Sequence, residues 1–222
     1  PTGVRLPGVA AERQHDSGYP VRAEMRPLAK ELARRTLGFP ATGRLLLITG
    51  GSQGAAPLNR WVEGQLDELA ARGIHALCLT GPGGRDERLE RAGSLVHFLP
   101  FCHQMAAAYS AADLAVTRAG AGTLAELATC RTPAILVPLP HAADDHQTAN
   151  ALQAAAGGAA ILLPERELGR LGEVAFGGIT DNAALAAMRD ALALADAANH
   201  WEELARETVA LAQAHGRRVA PA

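Results

Sequence analysis

Residues 45–62 read LLLITGGSQGAAPLNRWV. An aliphatic run ends at Thr49, two glycines follow, then Ser52, Gln53 and Gly54, and apolar residues begin to recur at helical spacing. A short continuous apolar run bounded by turn residues reads as a fully buried strand, here 44–49. Leu58, Trp61, Val62, Leu66 and Leu69 form one stripe, which predicts a helix over 56–72 ended by Gly73. The corner between them has two readings. It is a tight βα turn, or it is a seat for phosphate, because glycine lets backbone amides approach a ligand and a helix N-terminus supplies unpaired N–H groups and a positive dipole end. On the second reading the candidate contacts are Gly51, Ser52, Gln53 and Gly54, and Ser52 either caps the helix or offers its hydroxyl. The stretch lacks the G-K-[ST] ending of a Walker loop, which argues against nucleoside-triphosphate hydrolysis.

The same alternation continues on both sides. A short helix is expected over 23–37, closed by Gly38 and Pro40. Strands are expected at 74–81, 95–101, 114–120, 133–140 and 159–164, and helices at 104–113, 122–130, 145–157, 181–195 and 199–214. Continuously apolar strands that alternate with helices specify a doubly wound parallel α/β sheet covered on both faces, with right-handed crossovers. Ligands of such sheets sit outside the C-terminal ends of the strands.

Composition narrows the partners. The chain has 222 residues, 48% hydrophobic and 20% charged, with a net charge of −2, which excludes a general nucleic-acid binder. Residues 1–44 hold eight basic and four acidic side chains, a solvated surface or a contact for an anionic membrane or a phosphate-rich ligand. Cys78, Cys102 and Cys130 are widely spaced without a C-x-x-C pair, so buried thiols in a reducing compartment are expected. No signal peptide and no apolar run of membrane-spanning length is present, and the start at Pro1 with little periodicity suggests a piece of a longer protein.

A second corner, TRAGAGTLAE (117–126), also follows a strand and opens a helix, and Gly120, Gly122 and Ala125 satisfy a G-x-G-x-x-A spacing. Two such corners in one sheet can converge on one diphosphate, and Glu126, one turn into the helix, is placed to accept from ribose hydroxyls. In PLPHAADDHQTANA (138–151), His141, Asp144, Asp145 and His146 look like a metal set, but no second ligand cluster completes it, and Asp144 or Asp145 reads better as a helix N-cap. Gln147 and Asn150 share one face and could read sugar hydroxyls. Arg22, in SGYPVR (17–22), is a candidate phosphate contact at the entry to the domain.

Taken in order, PVR (20–22), GGSQGA (50–55), MAAAY..AD (105–113), RAGAGTLAE (118–126) and P....DHQ..NA (140–151) resemble the C-terminal half of the MurG family, over roughly residues 17–214. That family transfers N-acetylglucosamine from UDP-GlcNAc onto lipid I, making lipid II for peptidoglycan. The resemblance implies a GT-B glycosyltransferase in which this chain is the Rossmann-like donor-binding domain. The expected divisions are a linker or remnant over 1–22, the UDP-GlcNAc-binding domain over 23–198, and a C-terminal helix and tail over 199–222. It implies Arg22 near the donor, Ser52 near the diphosphate and backbone groups at Cys102 reading uracil. It further implies a second loop formed by Ala121, Gly122, Thr123, Leu124, Ala125 and Glu126, with Glu126 on the ribose, and Gln147 on the sugar. No metal or cofactor is implied. The partners are UDP-GlcNAc, lipid I through an N-terminal domain that also carries the general base, and an anionic membrane surface, at the cytoplasmic side of the bacterial cell membrane. This piece alone is expected to bind donor weakly and to transfer little. The linker motif of the family reads Asn-Pro-Val-Arg, and Tyr19 stands here in place of the asparagine. Two rival functions are a UDP-sugar-binding subunit working with a separate acceptor-domain protein, and a UDP-sugar epimerase. A dinucleotide-dependent oxidoreductase fits less well, since Asp144 and Asp145 come too late to serve as its acidic partner.

Overall fold

The computed structural model describes Gly8, Ala10, Glu12, Gln14 and residues 18–140 and 145–218, with side chains as far as Gln213. Its elements in order are α1 (Lys30–Thr36), β1 (Arg44–Thr49), α2 (Ala56–Glu63), α3 (Leu66–Ala71), β2 (Ile74–Leu79), β3 (Glu87–Arg91), β4 (Ser94–Leu99), α4 (Met105–Ala111), β5 (Leu114–Thr117), α5 (Ala121–Cys130), β6 (Ala134–Leu136), α6 (His146–Ala156), β7 (Ala160–Leu162), a 3-10 segment (Glu165–Arg170), α7 (Leu171–Thr180), α8 (Asn182–Ala197) and α9 (Trp201–Arg218). The sheet order is β3-β4-β2-β1-β5-β6-β7, parallel throughout except where β3 pairs with β4. The chain winds outward from β1 to β4, returns to the other side of β1 with β5, and continues to β7. This is the doubly wound order, and its reversal lies between β1 and β5.

Successive strand residues point to opposite faces, so each strand feeds two cores. Leu45, Leu47, Leu77 and Ala115 pack with α4 and α5 on one face, while Leu46, Ile48, Ala76 and Val116 pack with α2, α3 and α7 on the other. Burial on both faces is why these strands read as unbroken apolar runs. All three cysteines are free and buried.

Several elements differ from the sequence pattern. The first helix starts at Lys30 instead of residue 23, because Pro27 disfavours helical geometry in Arg26 and the chain turns there, with the Met25 amide donating to Arg22 O at 2.9 Å. The stripe over 56–72 is two helices broken at Gly64 and Gln65, where glycine weakens the helix. The hairpin strand β3 went unread because ERLER is a charged edge strand that turns through Ala92 and Gly93, both at positive φ. Helix α7 was missed because LGEVAFGGIT carries three glycines. The final helix runs to Arg218, beyond residue 214.

At the N-terminal edge of the sheet, Asp113 ties β5 to β1. Its amide donates to Leu45 O at 2.8 Å, and its carboxylate accepts from the Leu45 amide at 2.8 Å, Arg34 Nη2 at 2.7 Å and Lys30 Nζ at 2.5 Å. Arg34 is buried as well and spends its remaining donors on Ala111, Ala41 and Gly43 carbonyls. Burial alone would raise the Asp113 carboxyl, but Lys30, the Leu45 amide and Arg34 outweigh it and hold it below the usual carboxylate range. A group whose folded-state pKa is depressed contributes stability that is present above its unfolded pKa and lost as pH falls through the folded one. Asp113→Asn is therefore expected to lose on the order of 3 kcal/mol in urea unfolding at pH 7, since it leaves the buried Arg34 guanidinium without its carboxylate partner. The gap from the unsubstituted chain should narrow in titrations run below pH 4 or so, where the unfolded carboxyl protonates.

Candidate functional site

The register of β1 and β5 puts Thr49 opposite Thr117 at the C-terminal edge of the sheet. The corners 50–55 and 118–121 therefore leave the sheet side by side, at the reversal where doubly wound sheets hold their ligands. At the first corner the Gly54 amide donates to Gly51 O at 3.1 Å, a turn that carries Ser52 and Gln53 outward as exposed residues. The Gly51 amide is spent on Thr49 Oγ1 at 3.2 Å. Ser52 does not cap the helix, whose N-cap is Ala55, three residues further on. Pro57 in the first turn of α2 removes one of its donors. At the second corner nothing is removed. The first helical bond runs from the Leu124 amide to Gly120 O at 3.0 Å, so the amides of Ala121, Gly122 and Thr123 have no partner inside α5. The second corner is thus the stronger anion seat.

The close packing of the first corner explains its glycines. A Cβ on Gly50 would lie 2.2 Å from Gly54 C, and one on Gly54 would lie 2.4 Å from Thr80 O. Gly81, in the loop after β2, touches Gly54 in turn and has φ +88°, a region glycine occupies without strain. Glycine here brings two backbone segments together, and only Gly51, at φ +76° with open space around it, fits the picture of a glycine exposed to a ligand.

Other side chains assemble around the second corner. Arg22 Nη2 lies 3.2 Å from Glu126 Oε1. The Glu126 side chain is 20% exposed and also takes a hydrogen bond from Tyr109, which is buried beneath it. Burial and the adjacent Glu126 carboxylate push the Tyr109 hydroxyl well above its ordinary pKa, so it stays protonated and donates. Tyr19, the departure from the linker motif, packs over the first turn of α5, with its ring 3.5 Å from where a Gly122 Cβ would be. Its backbone exchanges two hydrogen bonds with the Asn199 side chain, at 3.1 and 3.0 Å, which ties the segment before α1 to the start of α9. Gln147 and Asn150 both reach the backbone of Ala119.

Cys102 follows β4 and faces the core, where burial raises its thiol pKa against a partial offset from a Gln104 backbone hydrogen bond. Only its backbone is available to a ligand. Phe101 beside it is 57% exposed just past the C-terminal end of β4, a flat apolar surface in a chain with only four phenylalanines. Asp145 does occupy the N-cap position of α6, but its carboxylate accepts from Thr148 Oγ1 at 2.7 Å and not from a backbone amide. His141 and Asp144 lie outside the described residues. Among the described residues no group of three His, Cys, Asp or Glu side chains is arranged to hold a metal ion. Sequence reasoning did not single out Gly81, Phe101, Tyr109 and Arg118, which the structure places around the candidate site. Arg118 is buried, donates to Val137 and Pro138 carbonyls at 3.1 and 3.2 Å, and pairs with Glu165. The TGPGG run over 80–84 was a visible signal for Gly81. The other three were masked by ordinary helical or strand context. An apolar cavity of about 380 Å³ lies beside the second corner, between α5, α6 and α8 under Tyr19.

A doubly wound sheet with paired glycine corners at its reversal defines a Rossmann-like domain. Residues 45–204 match the glycosyltransferase family 28 C-terminal domain, and the chain belongs to that family. It is similar to the UDP-N-acetylglucosamine–N-acetylmuramyl-(pentapeptide) pyrophosphoryl-undecaprenol N-acetylglucosamine transferase of Opitutus terrae, 40% identical over 227 residues that cover all of this chain and 60% of that protein. The enzyme of the same description from Mycobacterium tuberculosis is 37% identical over 221 residues, covering 96% of this chain and 54% of that one. Among solved structures, MurG of Acinetobacter baumannii superposes with a TM-score of 0.63 at 28% identity, over 83% of this chain and 54% of that chain. The calicheamicin glycosyltransferase CalG4, at 19% identity and a TM-score of 0.56 over 81% of this chain and 43% of that one, shares the fold alone. The chain therefore corresponds to the C-terminal half of MurG, with the Rossmann-like architecture of a GT-B C-terminal domain, and spans 60% or less of these relatives. Gly81→Ala is expected to cost about 1–3 kcal/mol from backbone strain, since its Cβ would sit 2.6 Å from Gly54 Cα. Amide resonances over residues 51–54 should shift with it in a two-dimensional NMR spectrum.

Proposed function

We propose that the chain is the donor-binding part of an inverting transferase that moves N-acetylglucosamine from UDP-GlcNAc to lipid I. The observation that carries this reading is the pair of adjacent corners at the sheet reversal, with three amides at the start of α5 that have no partner inside the helix. The activity for which the relatives are named supports the choice of donor and acceptor. In the reaction an acceptor hydroxyl attacks the anomeric carbon, the bond to the diphosphate breaks, and UDP leaves. Charge developing on the leaving diphosphate is stabilised by fixed amide dipoles, which need no reorganisation as the reaction proceeds.

Each group then has a task. The amides of Ala121, Gly122 and Thr123, together with Ser52 and Gln53 at the apex of the first corner, face the diphosphate. Arg22 adds positive charge at the same edge. Glu126, steadied by Tyr109, accepts from the ribose. Backbone at Cys102 reads the base, and the exposed Phe101 ring is a stacking surface beside it. Gln147 meets the sugar with its Nε2 hydrogens, because its Oε1 is occupied by two backbone amides. The general base and the lipid acceptor site belong to a preceding domain, and the assembled enzyme works at the cytoplasmic face of the membrane as a peripheral protein. Among the described residues, no helix is long and apolar enough to cross a membrane.

Calorimetry on this chain tests the proposal. UDP and UDP-GlcNAc should bind, with GDP-mannose far weaker, and a chain that binds no uridine nucleotide would sink the idea. Glu126→Ala is expected to weaken UDP binding roughly 10- to 100-fold, the usual cost of a hydrogen bond to a charged group.

A further inference from the structure

Ala119 is fully buried and lies two residues beyond the end of β5, where the sheet ladder no longer supplies hydrogen-bond partners. A buried backbone N–H and C=O without partners would each cost the full desolvation of the group. Both are met by side chains of α6. Gln147 Oε1 accepts from the Ala119 amide at 3.2 Å and from the Leu139 amide at 3.0 Å, while Asn150 Nδ2 donates to the Ala119 carbonyl at 2.9 Å. The partners dictate which end of each amide points inward: two N–H donors require an oxygen, and a carbonyl requires an NH₂. Ala119 immediately precedes Gly120, the N-cap of α5. The plane of the Ala119–Gly120 peptide thus sets the direction in which the amides of Ala121, Gly122 and Thr123 point.

We propose that Asn150 is a positioning residue, acting on the nucleotide through the Ala119 carbonyl by aiming the first turn of α5, and not by touching the sugar. This rests on the UDP-sugar reading of the site. It also makes a distinction that a direct sugar contact would not. The diphosphate is common to UDP and UDP-GlcNAc, so misaiming the α5 amides must weaken both ligands alike. Loss of a sugar contact would weaken UDP-GlcNAc alone.

The test compares Asn150→Asp and Asn150→Ala with the unsubstituted 222-residue chain, titrating each with UDP and with UDP-GlcNAc. Asn150→Asp keeps the side-chain shape while placing an oxygen, in place of a donor, against the Ala119 carbonyl. Both variants are expected to lose about tenfold in affinity, by the same factor for the two ligands, since an unsatisfied buried polar group costs roughly this much. A loss confined to UDP-GlcNAc, or no loss for either ligand, overturns the proposal. An unsubstituted chain that binds neither ligand overturns the underlying UDP-sugar reading, and the proposal falls with it. The ligand-free proteins provide a second readout that does not depend on affinity. In Asn150→Asp the amide resonances of Gly120, Ala121, Gly122 and Thr123 should shift while Ala119, still held by Gln147, keeps slow hydrogen exchange. Unchanged resonances at the α5 N-terminus would overturn the positioning role even if binding fell.

Discussion

The exchange of hydrogen bonds between Asp113 and Leu45 is the constraint on which the rest of this molecule depends. It closes the reversal of the sheet at its N-terminal edge: one backbone bond and one carboxylate bond, each 2.8 Å, join the residue before β5 to the second residue of β1. With that register set, Leu46 lies opposite Leu114 and Thr49 opposite Thr117, so the two strands end level and their corners emerge together. A slip by one residue would exchange the two faces of β5, sending Ala115 toward the bulky layer of α2 and α7 and Val116 toward the small-residue layer under α4 and α5. The buried charge is tolerated because Arg34 and Lys30 neutralise it and the surrounding carbonyls absorb the remaining donors of Arg34.

The two corners look alike in sequence but differ physically. The first spends its glycines on packing against the loop after β2, and it spends its Gly51 and Gly54 amides on its own turn. What remains for a ligand is the projecting pair Ser52 and Gln53. The second spends almost nothing internally, so its helix start is the natural place for negative charge. A site built in this way couples a rigid shaped edge to an electrostatic seat, and Tyr19 and Arg22, from the segment before α1, lie against the seat. The segment around Tyr19 and the start of α9 are bound to each other through Asn199, so two chain segments that lie far apart in sequence meet beside the second corner.

Polar side chains in the interior organise this edge without standing on it. Tyr109 holds the Glu126 carboxylate from below. Arg118 gathers the end of β6 and the 3-10 segment by donating to Val137 and Pro138 and pairing with Glu165. Each satisfies backbone or carboxylate groups that would otherwise be buried without partners. Rigid support of this kind is what lets backbone amides serve as preorganised dipoles.

The amino-acid sequence by itself determined the layered α/β architecture, the positions of the six parallel strands and the two glycine corners, because apolar runs, helical stripes and glycines act through near neighbours along the chain. It left the charged edge strand β3 and the glycine-bearing α7 unread, since in both the tertiary contacts override weak local preference. The part of each side chain in the site was decided only by tertiary structure. Asn150 and Gln147, legible as polar residues on one helix face, turned out to hold Ala119. Ser52 proved to be a turn apex and not a cap, and Glu126 came to lie between Arg22, 104 positions away in the chain, and Tyr109. Such partnerships join residues with no periodic relation in sequence, and they exist only once the sheet has brought the ends of its strands together.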